Sequence, residues 1–94
     1  MEITPIDEGG FRVTGELDMA TADELVAFLK GTGDGPVLLD FSGVSFMDSS
    51  GLRAVLDAAR SIEGGIVLLH PSEQVRRVLD ISIPTGAPGL EVRR

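Results

Sequence analysis

Two short apolar runs, residues 37–41 (VLLDF) and 66–70 (IVLLH), limit most strongly what this chain can fold into. A half-buried strand alternates apolar and polar residues, whereas a nearly continuous run is the pattern of a central parallel strand with cover. Between the two runs, Leu52, Val55, Leu56, Ala59 and Ile62 recur at helical spacing, with Arg53, Asp57 and Arg60 on the other side and Gly64-Gly65 as the stop. Strand, helix and parallel strand make one crossover unit, and such units are right-handed.

The flanking segments extend the pattern. EITPI and FRVTGEL read as short strands joined by DEGG, a turn rich in residues that tolerate positive φ, and Pro5 places the first strand at an edge. Thr21 and Glu24 match a capping box, ahead of a helix whose buried stripe is Ala22, Leu25, Val26 and Leu29. Gly31, Gly33 and Asp34-Gly35-Pro36 end it. Ser72 can cap a third helix with Val75, Val78 and Leu79 inward and Arg76 and Arg77 in water. The tail IPTGAPGLEVRR is punctuated by Pro and Gly and yields a last short strand at residues 90–92. The order ββαβαβα(β) predicts one α/β domain over residues 1–94: a small mixed sheet of four to five strands, right-handed βα units, and helices mainly on one face.

Composition narrows the function. A chain of 94 residues buries only about 60–65% of its unfolded surface, enough for one core. With no cysteine there is no disulfide, thiolate metal site or thiol nucleophile, which fits a reducing cytoplasm. The start MEITPIDEGG has no basic segment followed by an apolar one, so a soluble cytoplasmic protein is expected. Net charge is −7, which repels nucleic acid and anionic membranes. Residues 1–48 hold ten carboxylates against Arg12 and Lys30, while residues 49–94 hold five against six arginines, so a cationic partner would dock on the first half.

The stretch SFMDSSGLRAVL, residues 45–56, places Asp48, Ser49 and Ser50 after a loop leaving a central strand, at the start of the second helix. That is the rim where open α/β sheets carry function. Local physics alone makes a serine there an N-cap worth about 1 kcal/mol, with Gly51 easing the turn. Enzyme chemistries fail on particular residues. A nucleophile elbow needs glycine two before the serine, and Met47 stands there; His70, the sole histidine, ends another strand. A phosphate-binding loop needs Gly-Lys-Ser/Thr, and the sole lysine, Lys30, lies in FLKGTG, so any ATP must come with a partner. Asp40 and Asp48 lack calcium-loop spacing, and one histidine without cysteine is a poor zinc set. No cofactor or metal is expected.

The blocks TGELDMATADEL (14–25), LLDFSGVSFMDSSGLRAVL (38–56) and PSEQVRRVLDIS (71–82) resemble the signature segments of STAS domains, specifically bacterial anti-sigma factor antagonists. The resemblance implies a non-enzymatic regulator of transcription whose serine after the aspartate, Ser49 here, is phosphorylated by an anti-sigma factor that is itself an ATP-dependent serine kinase. It implies that Asp18 lies near that serine and helps engage the kinase. Asp48, Ser50, Gly51 and Arg53 complete the expected partner surface. The unphosphorylated form would bind the kinase and free its sigma factor, and a PP2C-type phosphatase would restore that form. Phe46 and Met47 are expected to pack in the core under the loop. Arg53 departs from the family, standing where well-known members carry glycine. A second reading is a constitutive, unphosphorylated STAS subunit that scaffolds a transporter or signalling assembly; the acceptor serine speaks against it. A monomer or weak dimer is expected.

Overall fold

In the computed structural model, which describes residues 1–7 and 9–94, the chain runs β1 (Glu2–Pro5), β2 (Phe11–Leu17), α1 (Ala22–Lys30), β3 (Val37–Met47), α2 (Ser49–Ser61), β4 (Ile66–Leu69), α3 (Glu73–Ser82) and β5 (Leu90–Arg93). The five strands lie in sequence order in one sheet; β1 is antiparallel to β2 and the other pairs are parallel. Pro5 is on the edge strand, where its missing N–H costs no ladder bond. Of the predicted turn, Glu8 falls outside the described residues; Gly9 and Gly10 adopt φ of 88° and 91°, which side chains disfavour.

Strand register explains how each face is used. Pro5, Phe11, Leu39, Leu68 and Val92 stand in one row across the sheet, while the next row is Thr4, Arg12, Asp40, Leu69 and Arg93. Neighbouring residues of a strand point to opposite faces, so the first row meets the core and the second the outer face. Leu25, Leu29, Leu52, Val55, Ala59, Val75 and Leu79 from the three helices join Val13, Leu39, Ile66 and Leu68 in one buried cluster. The helices thus serve the same face, as three successive right-handed crossovers in one direction require.

The central strand differs from its predicted extent. It does not stop at Phe41 but continues to Met47, and register against β2 shifts twice, around Ser42 and around Ser45. Each extra residue resets the alternation, so Val44 and Met47 face the core with Val37, Leu39 and Phe41. Phe46 consequently pairs with Glu16 and is 39% exposed, in contrast to its expected place in the core.

β4 pairs only with residues 37–40 of β3, so the later part of β3 has no strand on that side. α3 supplies the missing partners. Ser72 Oγ donates to the Val44 carbonyl at 2.7 Å, and Gln74 accepts from Met47 N at 2.8 Å while donating to the Met47 carbonyl at 3.1 Å. The Gln74 amide thereby replaces one strand residue, and Ser72 also caps α3 as predicted.

Asp40 is 5% exposed although it lies on the outer face. Its Oδ2 accepts from Arg12 at 3.2 and 3.3 Å and its Oδ1 from the Ser42 amide at 2.8 Å. Burial pushes this carboxyl up, but the Ser42 amide and hydroxyl and the Arg12 guanidinium outweigh it and hold the group below its ordinary value.

Two outcomes are expected. A depressed native carboxyl stabilises the fold above its unfolded value of about 3.9 and loses that contribution as pH falls through the native value. Asp40→Asn should therefore cost about 1–3 kcal/mol at pH 7, with the gap closing as pH is lowered from about 5 to 2; a gap unchanged in acid-range thermal melts would assign the stabilisation to something other than charge. Gln74→Ala should cost about 1–3 kcal/mol and speed hydrogen exchange at the Met47 amide.

Candidate functional site

β2 and β3 end side by side, with Leu17 opposite Met47 and the Asp48 N–H donating to the Leu17 carbonyl at 3.2 Å. Each strand is followed at once by an aspartate whose carboxylate turns onto the backbone amides just after it. Asp48 Oδ1 accepts from Ser50 N at 2.9 Å and Gly51 N at 3.0 Å, making Asp48 the N-cap of α2. Asp18 Oδ1 accepts from Ala20 N at 3.0 Å and Thr21 N at 3.2 Å.

These bonds revise the expected capping. No loop separates β3 from α2, and the cap is the aspartate rather than a serine, because only the residue with extended backbone just before the helix can aim its oxygen at those amides. The box of Thr21 and Glu24 does not form. Thr21 has helical backbone, and its hydroxyl instead donates to the Glu16 carbonyl at 2.8 Å and accepts from Asp18 N at 3.0 Å.

Gly51 is needed for closeness rather than for a turn. It is buried in the first turn of α2, where an added Cβ would run into the Leu17 carbonyl oxygen and come within 2.8 Å of Leu17 Cγ. Only glycine lets this helix start against the end of β2.

Ser49 is left exposed and Ser50 half-buried, with neither hydroxyl acting as the cap. Ser49, Ser50 and Arg53 line a groove of about 530 Å³ between α1 and α2, whose other walls include Met19, Asp23 and Val26. Ser49 and Arg53 also line a second hollow of about 310 Å³ with Leu52 and Leu56. Of the expected partner surface, these three side chains come together. Asp18 and Asp48 stand at the same rim, each with one carboxylate oxygen committed to backbone amides, and Gly51 is covered.

Sequence reasoning missed Met19, which is 79% exposed at the mouth of the groove, and gave Val26 to the core although it is only partly buried there. The adjacency of Met19 to Asp18 was the available signal. Arg53 is the groove's only cation among the described residues, against Asp23 and Asp57. His70 lies exposed just after the end of β4, at φ 52°. Among the described residues no three His, Cys, Asp or Glu side chains group as a metal site requires, and no helix is long and apolar enough to cross a membrane. What the rim offers chemically is an exposed primary hydroxyl with no histidine among the residues that line its groove.

The STAS domain profile matches residues 3–83. An anti-sigma F factor antagonist of Lysinibacillus sphaericus is 35% identical over 79 residues, which span 76% of this chain and 67% of the relative. Among solved structures, a candidate anti-sigma factor antagonist of Thermotoga maritima superposes with a TM-score of 0.73 at 22% identity, over 99% of this chain and 85% of the other. The anti-sigma factor antagonist SpoIIAA in its unphosphorylated form gives 0.61 at 27% identity, over 95% and 84%.

The capping geometry separates two substitutions that look alike in sequence. Asp48→Ala should cost about 0.5–2 kcal/mol, whereas Ser49→Ala should stay within about 0.5 kcal/mol of the parent. Urea denaturation of both variants measures this, and an equal loss in the two would contradict the assignment of the cap.

Proposed function

The chain belongs to the STAS domain family, and from that membership and the geometry of its rim we propose that it is an anti-sigma factor antagonist switched by phosphorylation of Ser49. One observation carries the choice of residue. Asp48 satisfies the amides at the start of α2, so the adjacent exposed Ser49 has a hydroxyl that the fold does not need. The relatives named as antagonists support the regulatory class.

The unmodified protein binds an anti-sigma factor kinase through Asp18, Ser49, Ser50 and the exposed side of α2, and the sigma factor is released. That partner brings ATP. Ser49 Oγ bonds to the γ-phosphorus as the bond to the bridging oxygen of ADP breaks, and the hydroxyl proton leaves to a base on the partner. A PP2C-type phosphatase reverses the step by hydrolysis.

Phosphorylation adds about −1.5 to −2 charges, which the first turn of a helix accommodates, so the fold survives. The interface does not. Asp23 already lines the groove and Asp18 and Asp48 stand at its rim, so a dianion there adds repulsion and bulk where a small hydroxyl had fitted. A loss of about 3 kcal/mol weakens binding by roughly 150-fold, enough to release a partner present near its dissociation constant.

Ser49→Ala should bind the cognate kinase and refuse phosphate. Ser49→Asp should bind poorly, though less poorly than the phosphoprotein, since a carboxylate has less charge and fewer acceptor oxygens. Peptide mass spectrometry after incubation with kinase and ATP decides the acceptor; phosphate on Ser50, or undiminished incorporation into Ser49→Ala, would refute the assignment.

A further inference from the structure

Arg53 stands four residues beyond Ser49 on α2, and residues at that spacing share a helix face with Cβ atoms about 5–6 Å apart. Both side chains border both hollows beside the start of the helix, so they meet the same solvent. Most arginines of this protein are paired. Arg12, Arg60, Arg77, Arg93 and Arg94 each hold a carboxylate. Arg53 and, on α3, Arg76 hold none among the described residues, and of these two only Arg53 lines the hollows with Ser49, although Asp57 lies one turn further along its face. Asp57 is taken by Arg60 at 3.0 Å. An exposed guanidinium without a counter-ion therefore sits one turn from an exposed serine.

We infer that Arg53 is a clamp for phosphate on Ser49, an inference that rests on Ser49 being the acceptor. Phosphoserine at this position brings its oxygens within reach of the guanidinium, whose planar paired N–H groups match two phosphate oxygens better than an ammonium can. The bridge lies on the strip of α2 that separates the two hollows. Modification then does two things to a partner at once: it adds a dianion and withdraws the groove's cation. In the unmodified protein Arg53 remains available to carboxylates of the partner, so the same residue serves recognition in one state and closure in the other.

The test uses full-length protein with phosphoserine installed at position 49 during translation, which needs no kinase. The second phosphate proton has an ordinary pKa of about 6, and a clamping guanidinium lowers it. In phosphorus NMR titrations, Arg53→Gln should raise the midpoint by about 0.3–0.7 unit, a two- to fivefold change in proton affinity. Asp23, Asp48 and Asp57 push the midpoint upward in both proteins, so the difference isolates Arg53. Arg53→Lys should recover part of the shift, and about 1 M salt should shrink it. Circular dichroism checks that the variants, altered at an exposed position, remain folded. Equal midpoints for the parent and Arg53→Gln overturn the clamp and leave Ser49 as acceptor untouched. A shifted midpoint together with a kinase that ignores Ser49 removes the switch instead, and the clamp's role with it.

Discussion

The structure depends on a mismatch in strand length. β3 has eleven residues and β4 four, so the central strand projects well beyond its neighbour. Backbone amides and carbonyls cannot be left unpaired in a covered position. The projecting half is held on one side by β2 and on the other by Ser72 and Gln74 of α3. Because the last of these bonds falls on Met47, the residue just before Asp48, the start of α2 inherits a fixed position from three elements at once.

That position makes a rim of two similar junctions. At each, a parallel strand ends and an aspartate folds back on the following amides; the two aspartates follow directly paired residues. Using a carboxylate for the cap has a consequence for chemistry. It satisfies the first turn without a hydroxyl, so the serine behind it remains exposed and chemically unused by the fold. Gly51 completes the arrangement by letting α2 lie directly on the Leu17 carbonyl.

The electrostatic design is similarly local. Asp40, buried on the outer face, sits in an environment that favours its charged form, and it acts within the sheet rather than at the rim. The charges of the groove are solvated and adjustable, which suits a surface that must change its net charge without unfolding.

Element order, the edge position of Pro5, the Ser72 cap and the last strand were all legible in the sequence, because alternation, helical periodicity and turn residues act over a few neighbours. The string DSSGL likewise identified the rim through its resemblance to STAS domains. Capping, bulges and exposure were not legible. Thr21 and Asp18, or Asp48 and Ser49, are equally plausible caps in one dimension, and only the path of β2 and β3 decides which oxygen faces the free amides. The register shifts that expose Phe46 and bury Met47 arise from pairing with a distant strand. The sequence by itself determined the elements, their order and the chemistry available at the rim. The tertiary structure decided which groups are spent on the fold and which are left over, because hydrogen bonds between residues about thirty apart, such as Gln74 to Met47, are set by strand length and register that no local pattern encodes.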